Sequence, residues 1–104
     1  MVTVYHVKDW AITFCAHPAP KPEVLVKVAE IDGDLNEAYR LTQNIDDAWA
    51  HSKNPKVRFF SPDGDDEARS TSVGDVMEMN GVFYVVASVG FDTLLDDYSS
   101  LVTA

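Results

Sequence analysis

Carboxylates are the most numerous ionisable groups in this chain, and two runs of them have the spacing of a cation site. Asp63-x-Asp65-x-Glu67 alternates acids as the opening of a calcium loop does, and Asp32-x-Asp34-x-Asn36 starts the same way. Such a loop also needs a glycine at its sixth position for the sharp turn and a bidentate carboxylate at its twelfth. The first run offers Ala68 and Gly74 at those places, the second Glu37 and Gln43, so neither is expected to hold Ca²⁺. Zinc requires clustered thiolate or imidazole ligands. The single cysteine, Cys15, and the histidines His6, His17 and His51 lack that spacing. No metal and no cofactor is expected.

Hydroxyls come next. Ser70-Thr71-Ser72 supplies three in a row, but a hydroxyl nucleophile needs a base within hydrogen-bond reach, and no histidine is near in sequence. The simpler role is turn chemistry, in which Ser and Thr oxygens satisfy backbone donors where a strand begins. Gly64, Gly74, Gly81 and Gly90 are isolated and form no phosphate-binding loop. Arg69 is the one cation among residues 61–104. Its planar fork suits a bidentate carboxylate or phosphate. Inside the protein its expected partner is Asp46, Asp75 or the acidic loop of Asp63, Asp65, Asp66 and Glu67. Trp10 and Trp49 are expected in the core.

Charge narrows the partner class. The net charge is −9, and residues 61–104 hold nine acids against Arg69, or −8, leaving −1 to residues 1–60. A direct nucleic-acid or anionic-membrane binder needs a basic face, so neither is expected. A basic or nucleic-acid-binding protein fits the charge, as does DNA mimicry. The 104 residues make one domain. One cysteine leaves no internal disulfide, the first ten residues lack a signal-peptide pattern, and the apolar run 82–87 is far too short to span a bilayer. These features point to the cytoplasm.

The elements that must position these groups follow from periodicity. Residues 2–8 alternate, with Val2, Val4 and His6 on one face and Thr3, Tyr5 and Val7 on the other. Trp10 to Cys15 alternates again, and Pro18, Pro20 and Pro22 then impose an extended connector. Val24–Ile31 reads as a strand. Asp34 is a helix N-cap, paired with Glu37 in the manner of a capping box. A helix is predicted over about 34–43, with helix or turn continuing to about 51; Leu35, Ala38, Thr42, Ile45 and Trp49 share its apolar face. Lys56–Phe60 is a short strand. Asn80-Gly81 between two apolar runs is a strong hairpin signal, because both turn residues need φ > 0. The spacing predicts strands over 75–79 and 82–91, the second with Phe83, Val85, Ala87, Val89 and Phe91 on one face. The segment 92–98 reads as a short acidic helix.

Two stretches carry a resemblance. Ala38-Tyr-Arg-Leu-Thr-Gln-Asn-Ile-Asp-Asp-Ala-Trp49 and Arg69-Ser-Thr-Ser-Val-Gly-Asp-Val76, followed by the hairpin ending at Gly90-Phe91, together resemble small actinobacterial phage and mobile-element proteins of the YodL-like group. The likeness covers roughly residues 35–91 and transfers no catalytic residue. It implies a phage accessory protein acting in the host cytoplasm. The positions it singles out are Asn44, Asp46, Trp49, Arg69, Ser70, Ser72, Gly74 and Asp75, whose types suit a polar network that locks the helix end to the hairpin.

The expected fold is therefore α+β: a mostly antiparallel sheet, curled or barrel-like, packed by one main helix. The expected function is a non-enzymatic module that binds a host protein through its acidic C-terminal half. The alternatives are a small-ligand or enzymatic site near Arg69–Asp75, a DNA-mimic inhibitor, and a minor virion protein. A homodimer is the expectation if one apolar sheet face stays uncovered.

Overall fold

The structure is a computed structural model that describes residues 1–7, 25–44, 49–51, 54–60, 69–87 and 90–94. The strands are β1 (Val2–Val7), β2 (Leu25–Ile31), β3 (Val57–Phe59), β4 (Val76–Met79), β5 (Val82–Val86) and β6 (Phe91–Thr93). One helix, α1 (Leu35–Leu41), follows β2, and a 3₁₀ turn spans Trp49–His51. The strands form one antiparallel sheet in the order β3-β2-β1-β4-β5-β6. The fold is α+β, and the sheet does not close into a barrel.

Alternation in β1 puts it at the centre, apolar on both sides. Val2 and Val4 join Val28, Ala29, Ile31, Met77 and Val86 beneath α1, where Ala38 and Trp49 complete the cluster. Tyr5 and Val7 join Leu25, Val76 and Phe83 on the opposite face, with Leu94 packed against them. The core members of both clusters are buried within the single chain. Pairing with β2 slips between Val4 and Tyr5: Val4 faces Ala29 and Tyr5 faces Lys27, so Val28 is the extra residue of a β-bulge. The bulge lets the adjacent Val28 and Ala29 both serve the helix-side core.

Asp34 caps α1, its carboxylate accepting the Glu37 N–H at 2.9 Å. The Glu37 carboxylate turns instead to Arg40 (3.1 Å) and Lys56 (3.3 Å), tying the helix to the start of β3. The helix is shorter than its periodicity suggests. Thr42 bends out of it, and its hydroxyl donates back to the Ala38 carbonyl at 2.8 Å.

The hairpin β4–β5 turns at Asn80 (φ 55°) and Gly81 (φ 83°) with Met79 opposite Val82, as its sequence requires. The following strand is a correction. β5 ends at Val86, not at Phe91. Gly90 takes φ 73°, the Ala87 N–H donates to the Gly90 carbonyl, and the chain reverses into β6. Phe91 therefore lies opposite Val86 on the helix side, 6.3 Å from the Tyr39 ring, while Phe83 faces Tyr5 on the other side. The single stripe from Phe83 to Phe91 does not exist. Asp92 and Thr93 belong to β6 rather than to an acidic helix. The predicted Trp10–Cys15 strand and the proline connector lie outside the described residues, as do Val89 and residues 95–98. No helix among the described residues is long and apolar enough to cross a membrane.

Met77 is fully buried and Val82 is 39% exposed, on neighbouring strands. Met77→Ala is expected to lower the unfolding free energy by about 2–5 kcal/mol. Val82→Ala should change it by about 0.5 kcal/mol or less. Urea denaturation of the two variants checks the contrast.

Candidate functional site

The polar residues converge where β1 ends, β4 begins and α1 has just stopped. Asp75 is the hub. It immediately precedes β4 and has no solvent exposure. A buried carboxylate is strongly disfavoured unless paired and hydrogen-bonded. Asp75 meets that demand four times over. Its Oδ1 accepts the Val7 N–H at 2.9 Å and Arg69 Nη2 at 2.7 Å. Its Oδ2 accepts Arg69 Nη1 at 2.6 Å and the Ser72 N–H at 2.8 Å. These four donors match the acceptor capacity of an ionised carboxylate. The two Arg69 contacts form the parallel fork that makes such pairs strong.

Arg69 is itself fastened. Nη1 donates to the Ser70 carbonyl at 3.0 Å and Nη2 to the Val7 carbonyl at 3.2 Å. One guanidinium thus bridges the end of β1 and the loop before β4. The Arg69 carbonyl accepts the indole N–H of Trp49 at 2.8 Å, and the Trp49 ring packs edge-on against Phe59.

The serines and threonine act as connectors. Ser70 Oγ accepts the Asn44 N–H, and Asn44 Oδ1 accepts the Trp49 N–H, each at 2.8 Å. The Thr71 N–H donates to the Thr42 carbonyl, while the Gln43 amide donates to the carbonyls of Tyr39 and Thr71. Ser72 Oγ donates to the Ser70 carbonyl. The Gly74 N–H reaches the Val86 carbonyl, and the Val86 N–H reaches that of Asp75, so the loop is sewn to β5 as well.

His6 is the member that sequence reasoning missed. Its Nε2 lies 2.8 Å from Thr71 Oγ1, one donating to the other according to the imidazole tautomer, and 4.0 Å from Asp75 Oδ2. Burial lowers its pKa from 6.5 to about 4; the Asp75 carboxylate works against that and the Arg69 cation adds to it. His6 is therefore neutral at pH 7. The available signal was alternation, which places His6 on the face of Val2 and Val4, beneath the helix.

A hydroxyl, an imidazole and a carboxylate together invite comparison with a nucleophilic triad. In a triad the carboxylate orients the ring nitrogen remote from the hydroxyl. Here the same Nε2 faces both Thr71 and Asp75, and Thr71 is 1% exposed. The geometry is that of a lock. Arg69, Ser70, Ser72, Asp75 and Asn44 come together in it, with Trp49 and Gly74. Asp46, Asp63, Asp65, Asp66 and Glu67 lie outside the described residues. Among the described residues, no three His, Cys, Asp or Glu side chains gather as a metal site would require.

Comparison of the chain with protein families, with curated proteins and with solved structures finds no match.

Two outcomes follow from the lock. Asp75→Asn replaces one acceptor oxygen with a donor amide facing Arg69, Val7 and Ser72, and is expected to cost about 3–5 kcal/mol in denaturant unfolding. For His6 the folded pKa lies below the unfolded one, so between them the unfolded chain binds more protons and stability rises with pH. The His6 contribution is complete above pH 6.5 and is lost as pH falls toward about 4. At about 1.4 kcal/mol per pKa unit the loss is about 3 kcal/mol. Unfolding curves of wild type and His6→Asn across this range check it: their difference should shrink as the pH drops.

Proposed function

We propose that this protein is a non-enzymatic interaction module whose acidic C-terminal half contacts a basic host protein. The observation that carries the reading is the saturation of Asp75. All four of its acceptor positions are taken by Val7, Ser72 and Arg69, and Arg69 is engaged in turn by two backbone carbonyls. The convergent polar groups thus consume one another, and their role is to hold a scaffold. What remains for recognition is charge, −8 of it within residues 61–104. Asp63, Asp65, Asp66 and Glu67 form its densest run. A negatively charged surface steers a cationic partner and repels nucleic acid and anionic lipid. The setting is the one implied by the likeness to YodL-like proteins: a phage accessory protein in the host cytoplasm.

The test is affinity capture from an actinobacterial lysate, with mass-spectrometric identification, at about 0.05 M and about 0.5 M salt, across which the screening length falls severalfold. The proposal expects a basic protein to be retained at low salt and released at high salt. It also expects capture to fail when Asp63, Asp65 and Asp66 become Asn and Glu67 becomes Gln. Capture indifferent both to salt and to this neutralised variant would remove the acidic half as the contact surface.

A further inference from the structure

The β4–β5 turn holds a reactive pair that neither the lock nor the charged surface uses. The chain has four asparagines, and only Asn80 precedes glycine; Asn36, Asn44 and Asn54 precede Glu37, Ile45 and Pro55. Asn80 and Gly81 are both exposed. Apart from Gly81 and its two chain neighbours, no atom lies within 4 Å of where a Gly81 side chain would begin, so the space beside the turn is open.

We propose that Asn80 is a self-modification site, converted to aspartate and isoaspartate at a rate set by how often the β4–β5 turn opens. In the first step the Gly81 nitrogen loses its proton and bonds to Asn80 Cγ. The Cγ–Nδ2 bond breaks, and ammonia leaves with that proton. In the second step water opens the cyclic imide. Attack at Cγ gives aspartate; attack at the main-chain carbonyl carbon gives isoaspartate. Nothing is oxidised or reduced, and the chain gains one negative charge.

The folded turn opposes the first step in two ways. Asn80 sits at φ 55°, in the left-handed basin, where ψ is about +30 to +60°. Ring closure needs the Gly81 nitrogen swung round beside Asn80 Cβ, a different ψ. In addition, the Gly81 N–H donates to Glu78 Oε2 at 3.0 Å, a clasp that holds the attacking nitrogen within the closed turn. Reaction therefore waits for local opening. Isoaspartate then leaves an extra methylene in the backbone of a two-residue loop, between the paired Met79 and Val82. The reclosed hairpin has to accommodate that longer loop at the end of β4, the strand that carries Met77 and follows Asp75 directly.

The test incubates the full chain at neutral pH in buffer and in concentrated urea, then maps peptides by mass and assays isoaspartate. Conversion at Asn80 is expected to lead that at Asn36, Asn44 and Asn54. It should be at least about tenfold slower in the folded chain than in urea, because only the opened turn reacts. Glu78→Ala should speed conversion severalfold in buffer and leave the urea rate unchanged. Hydrogen exchange at the Gly81 amide provides a second reading: exchange and conversion should rise together across Glu78→Gln and Glu78→Ala. Equal rates in buffer and urea would overturn the proposal, as would a folded Glu78→Ala chain that converts no faster than wild type.

Discussion

A carboxylate with no solvent exposure sits at the junction of β1, β4 and the loop that precedes β4. Stripping water from an ion costs several kcal/mol, and that cost is recovered only where opposite charge and donors converge with good geometry. Asp75 satisfies this with one guanidinium and two backbone amides, and each donor comes from a segment the fold must otherwise bring together. Val7 brings the end of β1, Ser72 brings the turn, and Arg69 brings the strand of chain that carries the Trp49 contact. If any one segment is displaced, a buried charge is left under-satisfied, which penalises alternatives to this arrangement.

The position of the lock explains why the helix can be so short. A seven-residue helix has little stability of its own. α1 is held by Asp34 at its start, by Ala38 packed into the core, and at its end by the Thr42 and Gln43 contacts to Thr71. The neutral His6, on β1, is hydrogen-bonded to Thr71 and lies in an edge-to-face arrangement with the Trp49 ring, their centroids 6.0 Å apart. Burial keeps it uncharged at neutral pH, so His6 does not add a second cation beside Arg69.

Sheet order distributes charge as well as strands. The basic residues Lys27, Lys56 and Arg58 lie on or beside β2 and β3, at one edge, where Lys27 and Arg58 both approach the Phe60 ring. Glu78 and Asp92 lie on β4 and β6, toward the other. Glu30 and Glu37 pair with Arg58 and Lys56, which balances the first edge locally. Within residues 61–104 the nine acids share a single basic residue, Arg69, and the lock pairs Arg69 with Asp75.

Local physical chemistry alone determined the parts whose causes are local. The alternation in β1, the Asp34 cap and the Asn80-Gly81 turn are readable because each depends on residues a few positions apart. The end of β5 was not, because an apolar run continues past Val86 and only the turn at Gly90 reveals the reversal into β6. Arg69 was recognisable as a cation in need of a carboxylate, but its neighbours in sequence offered several. Tertiary structure decided for Asp75, since β1 pairing with β4 brings Val7 to the same oxygens. His6 and Thr71, 65 positions apart, meet for the same reason. Contacts at that separation arise from the register of the whole sheet, and no periodicity in a single stretch of chain encodes it.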